Sequence, residues 1–318
     1  MENNFIPRSQ SSLGFFAIIR ESFKTTTRNG KVLGPILLLV FISFSLLDFA
    51  QMYLLAPVIN DFASLLAKYP NMVQDFSYNI DQTNYSGALT DVREIILVKL
   101  LIMAISSIIS LTFFVATVSS SYEAYTAKVL DPKDLTLMLI KSWKRPLVTS
   151  FYMILLTLGT VFLYLISMTI TTILAANSWV LFSLGAITLS IPVCYFYMAS
   201  LWIVSMVVSV LEEGFSGVKA IGRAADLMKG KRLKASLMMV FFAAAYLVVQ
   251  QVASYVVANI DLNRSTHLAI TIPFSNGFFS LLQLFMLVAY TVFYHEMKTC
   301  HDEKEGRGFY IPIAAGEA

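Results

Sequence analysis

Charge is scarce in this sequence: 14% of its 318 residues are Asp, Glu, Lys or Arg, against 57% that are hydrophobic. A soluble domain carries about 25% charged residues. This chain therefore has too little polar surface for a soluble globule and must set apolar surface against lipid. Disorder is excluded too, because 24 Phe and 15 Tyr are far more aromatic residues than a disordered chain holds. Cysteine is nearly absent. Cys194 in an apolar stretch and Cys300 in a charged tail cannot form a disulfide framework. The three histidines, His267, His295 and His301, do not meet carboxylates at metal-ligand spacing within a span. His295, Glu296, Cys300 and His301 lie close in sequence and read as solvated tail. The chain lacks H-E-x-x-H, G-x-S-x-G, P-loop and G-x-G-x-x-G patterns, so no catalytic residue, metal or cofactor is implied. The first 30 residues lack an uninterrupted apolar region, since Arg8, Arg20, Glu21, Lys24 and Arg28 break it. No cleavable signal peptide is expected.

What the chain has in abundance is long apolar runs. About 20 helical residues cross a hydrocarbon core of about 30 Å. Six stretches suffice, near 34–57, 95–119, 147–174, 178–211, 235–260 and 268–294. They predict an all-α, polytopic protein with six transmembrane helices. A cytosolic segment over 1–33 precedes the membrane domain, 34–297, and a cytosolic tail, 298–318, follows it. The third and fourth spans form a hairpin around Ala176-Asn177-Ser178. The fourth is long enough to reach roughly 51 Å, and Pro192 near its middle predicts a kink or tilt.

Lys68, Arg93, Lys99 and Arg264 are alone on one side of these spans, and the remaining nineteen of the 23 Lys and Arg residues lie on the other. The positive-inside rule assigns the nineteen, and both termini, to the cytosol. The cytosolic connections are then 120–146 and 212–234, and 58–94 is a lumenal loop. Asn84 and Asn263, in N-x-S sequences, fall on the lumenal side as candidate N-glycosylation acceptors. A multi-span chain of this kind enters at the endoplasmic reticulum. Retention there, another endomembrane or the plasma membrane are all open, and Tyr310-Ile311-Pro312-Ile313 matches a short sorting pattern.

A basic amphipathic segment precedes spans one, three and five. Phe16, Ile19 and Phe23 form one stripe while Arg20 and Lys24 point away. Asp131-Pro132 starts a second segment, striped by Leu135, Met138, Leu139 and Trp143. Val218, Ile221, Ala225 and Met228 form the third stripe, opposite Lys219, Arg223 and Asp226. The first and third share G-x-x-A-I-x-R, at Gly14–Arg20 and Gly217–Arg223, which suggests three units of interfacial helix plus hairpin. Arg20, Lys24, Lys141, Lys144, Arg145, Lys219, Arg223, Lys229 and Lys231 are the candidate contacts to anionic lipid of the cytosolic leaflet. The alternative is that these helices pack on the bundle and their charges only fix topology.

Within the spans, Asp48 and Lys99 lie at comparable depth and are the candidate polar pair, as a structural ion pair or as part of a substrate or ion site. Otherwise Lys99 snorkels to the interface and Asp48 finds a hydrogen bond. Gln250, Gln251 and Gln283 are candidates for the bundle interior. Thr112, Ala116, Ser120 and Ala124 form a small-residue seam, for internal packing or a homodimer face. Cys300, juxtamembrane and cytosolic, is a candidate for reversible palmitoylation.

The runs Ser142–Thr149, Val208–Glu213 with Lys229-Gly230-Lys231, Thr291–Glu296 and Tyr310–Ile313 resemble a plant family of uncharacterised six-span membrane proteins, over the whole chain. Residues 208–231 are also distantly similar to the membrane domain accompanying bacterial glycerophosphodiester phosphodiesterases, whose hydrolase domain has no counterpart here. The resemblance implies the fold and no activity. The leading expectation is a non-enzymatic membrane protein of the endomembrane system that organises lipids or partner proteins, with no nucleic acid, through its basic cytosolic face. The alternative is a transporter or channel for a lipid or small solute.

Overall fold

A computed structural model of the chain describes residues 14–68, 82–125, 143–173, 178–259 and 264–308. These residues form eight helices: α1 (Phe15–Arg28), α2 (Gly30–Lys68), α3 (Gln82–Tyr125), α4 (Lys144–Ile173), α5 (Ser178–Leu211), α6 (Val218–Leu227), α7 (Arg232–Asn259) and α8 (Arg264–Gly308). Six contain stretches long and apolar enough to cross a membrane: Gly30–Asp61, Val92–Tyr125, Lys144–Ile173, Phe182–Leu211, Arg232–Val256 and Thr271–Asp302. They coincide with the six expected spans. The helices run longer than the sequence suggests. α2, α3 and α8 have 39, 44 and 45 residues, or roughly 58–68 Å at 1.5 Å per residue, about twice the hydrocarbon thickness. The described parts of 58–94 are thus helix, and so is the start of the expected tail through Gly308. Pro192 sits inside α5 without ending it.

The chain divides into two units. One comprises 1–35, 114–248 and 281–318. Its core is made by helix segments that bury nearly every side: 115–121 of α3, 204–210 of α5 and 287–294 of α8. The small-residue seam belongs to this pattern only in part, since Ala116 and Ser120 are buried among equally buried neighbours whereas Thr112 is exposed. α4 and α5 pack together. Between two helices in lipid the hydrophobic effect supplies little, and hydrogen bonds and close packing take its place. Thr188, one turn before Pro192, meets Ser167 at 2.7 Å and Thr171 at 3.1 Å. Pro192 also leaves the Thr188 carbonyl without its usual helical donor, so polar groups gather where the ladder is interrupted.

The second unit comprises 36–113 and 249–280. Few of its side chains are buried, among them Val40, Leu55, Ile102 and Ala253. Gln250 and Gln251 are exposed here, not turned into a bundle interior.

Of the expected stripes only Met228, at the end of α6, is fully buried; otherwise each described amphipathic helix buries another face. In α1, Ile18, Ser22 and Thr25 are buried, whereas Phe16 is 83% and Phe23 64% exposed. In α6 the buried side chains are Ala220, Ala224 and Leu227, and Val218 is exposed. The physical reason is that small and hydroxyl residues let a short helix approach the bundle closely, with Ser22 returning its hydroxyl to the Ile18 carbonyl at 2.7 Å. Asn29 joins α1 to α2. Its carbonyl accepts the amides of Val32 and Leu33, and its side chain donates to the Ser120 carbonyl at 3.0 Å. Asp131 to Ser142, including Lys141, lie outside the described residues, as do Asn263 and Tyr310–Ile313.

Candidate functional site

The charged ends of the spans, loosely scattered in sequence, come together around two buried carboxylates. Glu212 follows the last turn of α5, and its amide returns to the Val208 carbonyl at 2.8 Å, which holds it against the helix end. It is only 9% exposed. Such a carboxylate needs compensating partners, because an isolated buried charge costs several kcal/mol or more. Glu212 has three. Tyr294 of α8 donates its hydroxyl to Oε1 at 2.6 Å, Arg223 of α6 brings Nε to Oε2 at 3.4 Å, and Lys298 brings Nζ to Oε1 at 3.7 Å. Arg145, at the start of α4, reaches the Glu212 carbonyl at 3.5 Å and the Glu213 carboxylate at 3.7 Å. Four helices are tied to one residue.

Thr149 completes this corner. Its hydroxyl donates to the Arg145 carbonyl at 3.0 Å and accepts the Gly217 amide at 2.9 Å. Gly217 has φ +56°, and a Cβ on it would lie 3.0 Å from the Tyr152 ring. Only glycine fits this entry to α6 without strain.

The second carboxylate, Glu296 of α8, is also 9% exposed. Lys231, in the turn between α6 and α7, donates to its Oε1 at 2.8 Å and to the Cys300 sulfur at 3.2 Å. Glu296 Oε2 is buried with no hydrogen-bond partner among the described residues. His295 stands against the Tyr125 ring, 4.6 Å between centroids. The reading of His295–His301 as solvated tail is therefore overturned: this stretch is helix, and Lys231 makes the burial of Glu296 tolerable.

A cavity of ≈ 580 Å³ opens beside this lattice, lined by Arg223, Asp226, Leu227, Lys229, Lys231, Met297, Cys300 and His301. Lys229 and Asp226 form a pair at 2.8 Å on its exposed rim. The Lys229 ammonium bonded to the Asp226 carboxyl, together with its positive charge, holds that carboxyl below the ordinary carboxylate value.

The expected lipid contacts thus separate into two sets. Arg145, Arg223 and Lys231 turn to carboxylates of the same chain and are half-buried. Arg20, Lys24, Lys144, Lys219 and Lys229 are exposed. The pair expected between Asp48 and Lys99 is replaced by another: Asn276 of α8 donates to Asp48 Oδ2 at 2.7 Å, no ion pair joins Asp48 to Lys99 among the described residues, and Lys99 is exposed. Asn84 lies in α3. Among the described residues no group of three or more His, Cys, Asp or Glu could hold a metal ion. Sequence reasoning missed Glu212 and Glu296. Their signal was present: each is a carboxylate at the end of an apolar run, on the side where cations are in large excess.

Fold and site together define a polytopic helical membrane protein whose helix ends are joined by buried ion pairs. The chain belongs to the family described as Domain of unknown function (DUF8558), which matches residues 7–307. No curated protein and no solved structure matches it.

Proposed function

We propose that this is a non-enzymatic protein of the endomembrane system that gathers anionic lipid, and partners held there, at its basic cytosolic end. One observation carries the reading. α1 has three faces: Ile18, Ser22 and Thr25 pack on the protein, Phe16 and Phe23 are exposed, and Arg20 and Lys24 are exposed on a third side. That is the arrangement of a helix lying in a membrane interface, with rings toward acyl chains and cations toward headgroups. The cytosolic assignment rests on the Lys and Arg asymmetry. The buried lattice supports a structural role, because its charged groups are engaged with one another. The likeness of its runs to a plant family of six-span proteins fits the same picture.

The test compares the melting temperature of the full chain in phosphatidylcholine nanodiscs with and without phosphatidylglycerol. Anionic lipid should stabilise the native protein, and Arg20→Gln with Lys24→Gln and Lys219→Gln should remove much of that gain. Equal stability in both lipids would overturn the reading.

A second reading, transport, is favoured by the Asp48–Asn276 bond together with Ser45, whose buried hydroxyl, one turn from Asp48, lacks a partner among the described residues. Intramembrane carboxylates commonly mark ion or proton paths. Solute or proton flux in proteoliposomes that disappears in Asp48→Asn would move this reading to first place.

A further inference from the structure

We propose that the cavity between the α6–α7 turn and α8 binds an anion carrying a terminal phosphate, a phosphate monoester. The proposal rests on the reading of this end as an anionic-lipid face, and it adds a defined site and a ligand class.

The cavity, at ≈ 580 Å³, falls within the range of about 300–1,000 Å³ usual for small-molecule sites. Its wall carries three cations, Arg223, Lys229 and Lys231, against one carboxylate, Asp226. Glu212 and Glu296 offset part of that charge, and it is the three donor groups on one wall that suit the three terminal oxygens of a phosphate monoester better than the two of a diester or carboxylate. Glu212 and Glu296, which pair with Arg223 and Lys231, do not line the cavity. They fix the cations in place and leave the cavity open. Donor capacity remains on the wall. Arg223 engages Glu212 through Nε, and its Nη groups have no hydrogen-bond partner among the described residues. A guanidinium fork matches phosphate oxygens well. Lys231 uses two of its three protons, on Glu296 and Cys300. Lys229 is held by Asp226 in a pair whose side chains are 69% and 55% exposed, so a phosphate can draw it inward at little cost. Gly230, at φ +82°, makes the tight turn that carries both lysines to one wall. Lys231 also directly precedes α7, whose N-terminal dipole adds positive potential.

Cys300 lines the same cavity and serves as the reporter. With Cys194→Ala as background, the full chain is placed in phosphatidylcholine nanodiscs and the rate of maleimide labelling at Cys300 is followed. Three probes are compared: soluble glycerol 3-phosphate, phosphatidic acid and phosphatidylglycerol in the bilayer. A phosphate monoester should slow labelling roughly tenfold at about ten times Kd, since only the unbound fraction reacts. Phosphatidylglycerol, a diester, should not. Protection by phosphatidic acid alone identifies a lipid headgroup as the source, and protection by glycerol 3-phosphate as well identifies the phosphate itself. Lys229→Gln should reduce the protection, whereas Arg93→Gln, an exposed cation of α3 outside the lining, should leave it intact. The proposal is overturned if neither monoester protects, if phosphatidylglycerol protects equally, or if Lys229→Gln changes nothing. Each of those results leaves the melting comparison with phosphatidylglycerol standing, so failure of the site and failure of the surface reading are distinct.

Discussion

Gly14 opens α1 and Gly217 opens α6, and G-x-x-A-I-x-R begins at each. The equivalence holds for where the helices start and fails for how they sit. Ile18 is buried in α1, while its counterpart Ile221 is only half-buried, and α6 instead buries Ala220, the counterpart of half-buried Ala17. Arg20 is exposed; Arg223, at the same place in the pattern, is drawn to buried Glu212. α1 leaves two phenylalanines exposed, and α6 is fastened by charge and by an entry that only glycine fits. A shared pattern therefore sets the element, and the groups it meets decide which face that element buries and whether its charge is paired inward.

The largest effect separating the two helices should come from Glu212→Ala. It strips Tyr294, Arg223 and Lys298 of their common acceptor at once. Breaking a buried ion pair from one side costs about 3–5 kcal/mol, and the partly exposed cations place this case near 3. Among the described residues Glu21, in α1, makes only a long pair with exposed Lys24 at 3.8 Å, so Glu21→Ala should cost under about 0.5 kcal/mol. Unfolding midpoints of both variants in one detergent decide the matter. Similar losses would mean that α6 is no more fastened than α1.

Next comes the pair of helix entries. At Gly217 an alanine would need φ +56° and would press on Tyr152, a strain of about 1–3 kcal/mol. At Gly14 the backbone is extended, with φ −67° and ψ 161°, and a Cβ meets nothing within 4 Å. Gly14→Ala should then cost about 0.5 kcal/mol, the difference between glycine and alanine at an N-cap. A Gly217→Ala protein as stable as Gly14→Ala would show that the α6 entry relaxes freely.

The spans were legible because hydropathy over about 20 residues needs no tertiary information. Burial was not. α4 and α5 are similarly apolar, yet the most apolar window of α4 has 0% of its residues buried and that of α5 has 61%. In lipid both faces of a helix are apolar, so the pattern that marks the inner face of a soluble helix is erased. Phe16 and Phe23 formed the obvious stripe of α1, but a membrane is as good a partner for phenylalanine as a protein core, and the true inner face was Ile18, Ser22 and Thr25. The lattice was hidden for another reason. Arg145, Glu212, Arg223, Lys231, Tyr294 and Glu296 are distant in sequence, and the positive-inside rule had already accounted for every cation, which left no prompt to ask which of them were paired inward.

The smallest expected effect lies at the rim of α6, where Lys229 holds Asp226 at 2.8 Å. The lysine's hydrogen bond and charge keep the folded carboxyl below the ordinary carboxylate value. A carboxyl lowered on folding adds stability above its unfolded value and loses it as pH falls through the folded one. Native protein and Lys229→Gln should therefore differ slightly in melting temperature at mildly acidic and neutral pH and converge below the ordinary carboxylate range. Both side chains face water, so the difference should be near the limit of detection, and direct titration of the Asp226 carboxyl by NMR is the better measurement. An Asp226 that titrates identically in Lys229→Gln would show that the pair is not held in solution. If an anion in the neighbouring cavity takes Lys229 away, glycerol 3-phosphate should return Asp226 toward its ordinary value. One carboxyl would then report both the rim pair and its competitor.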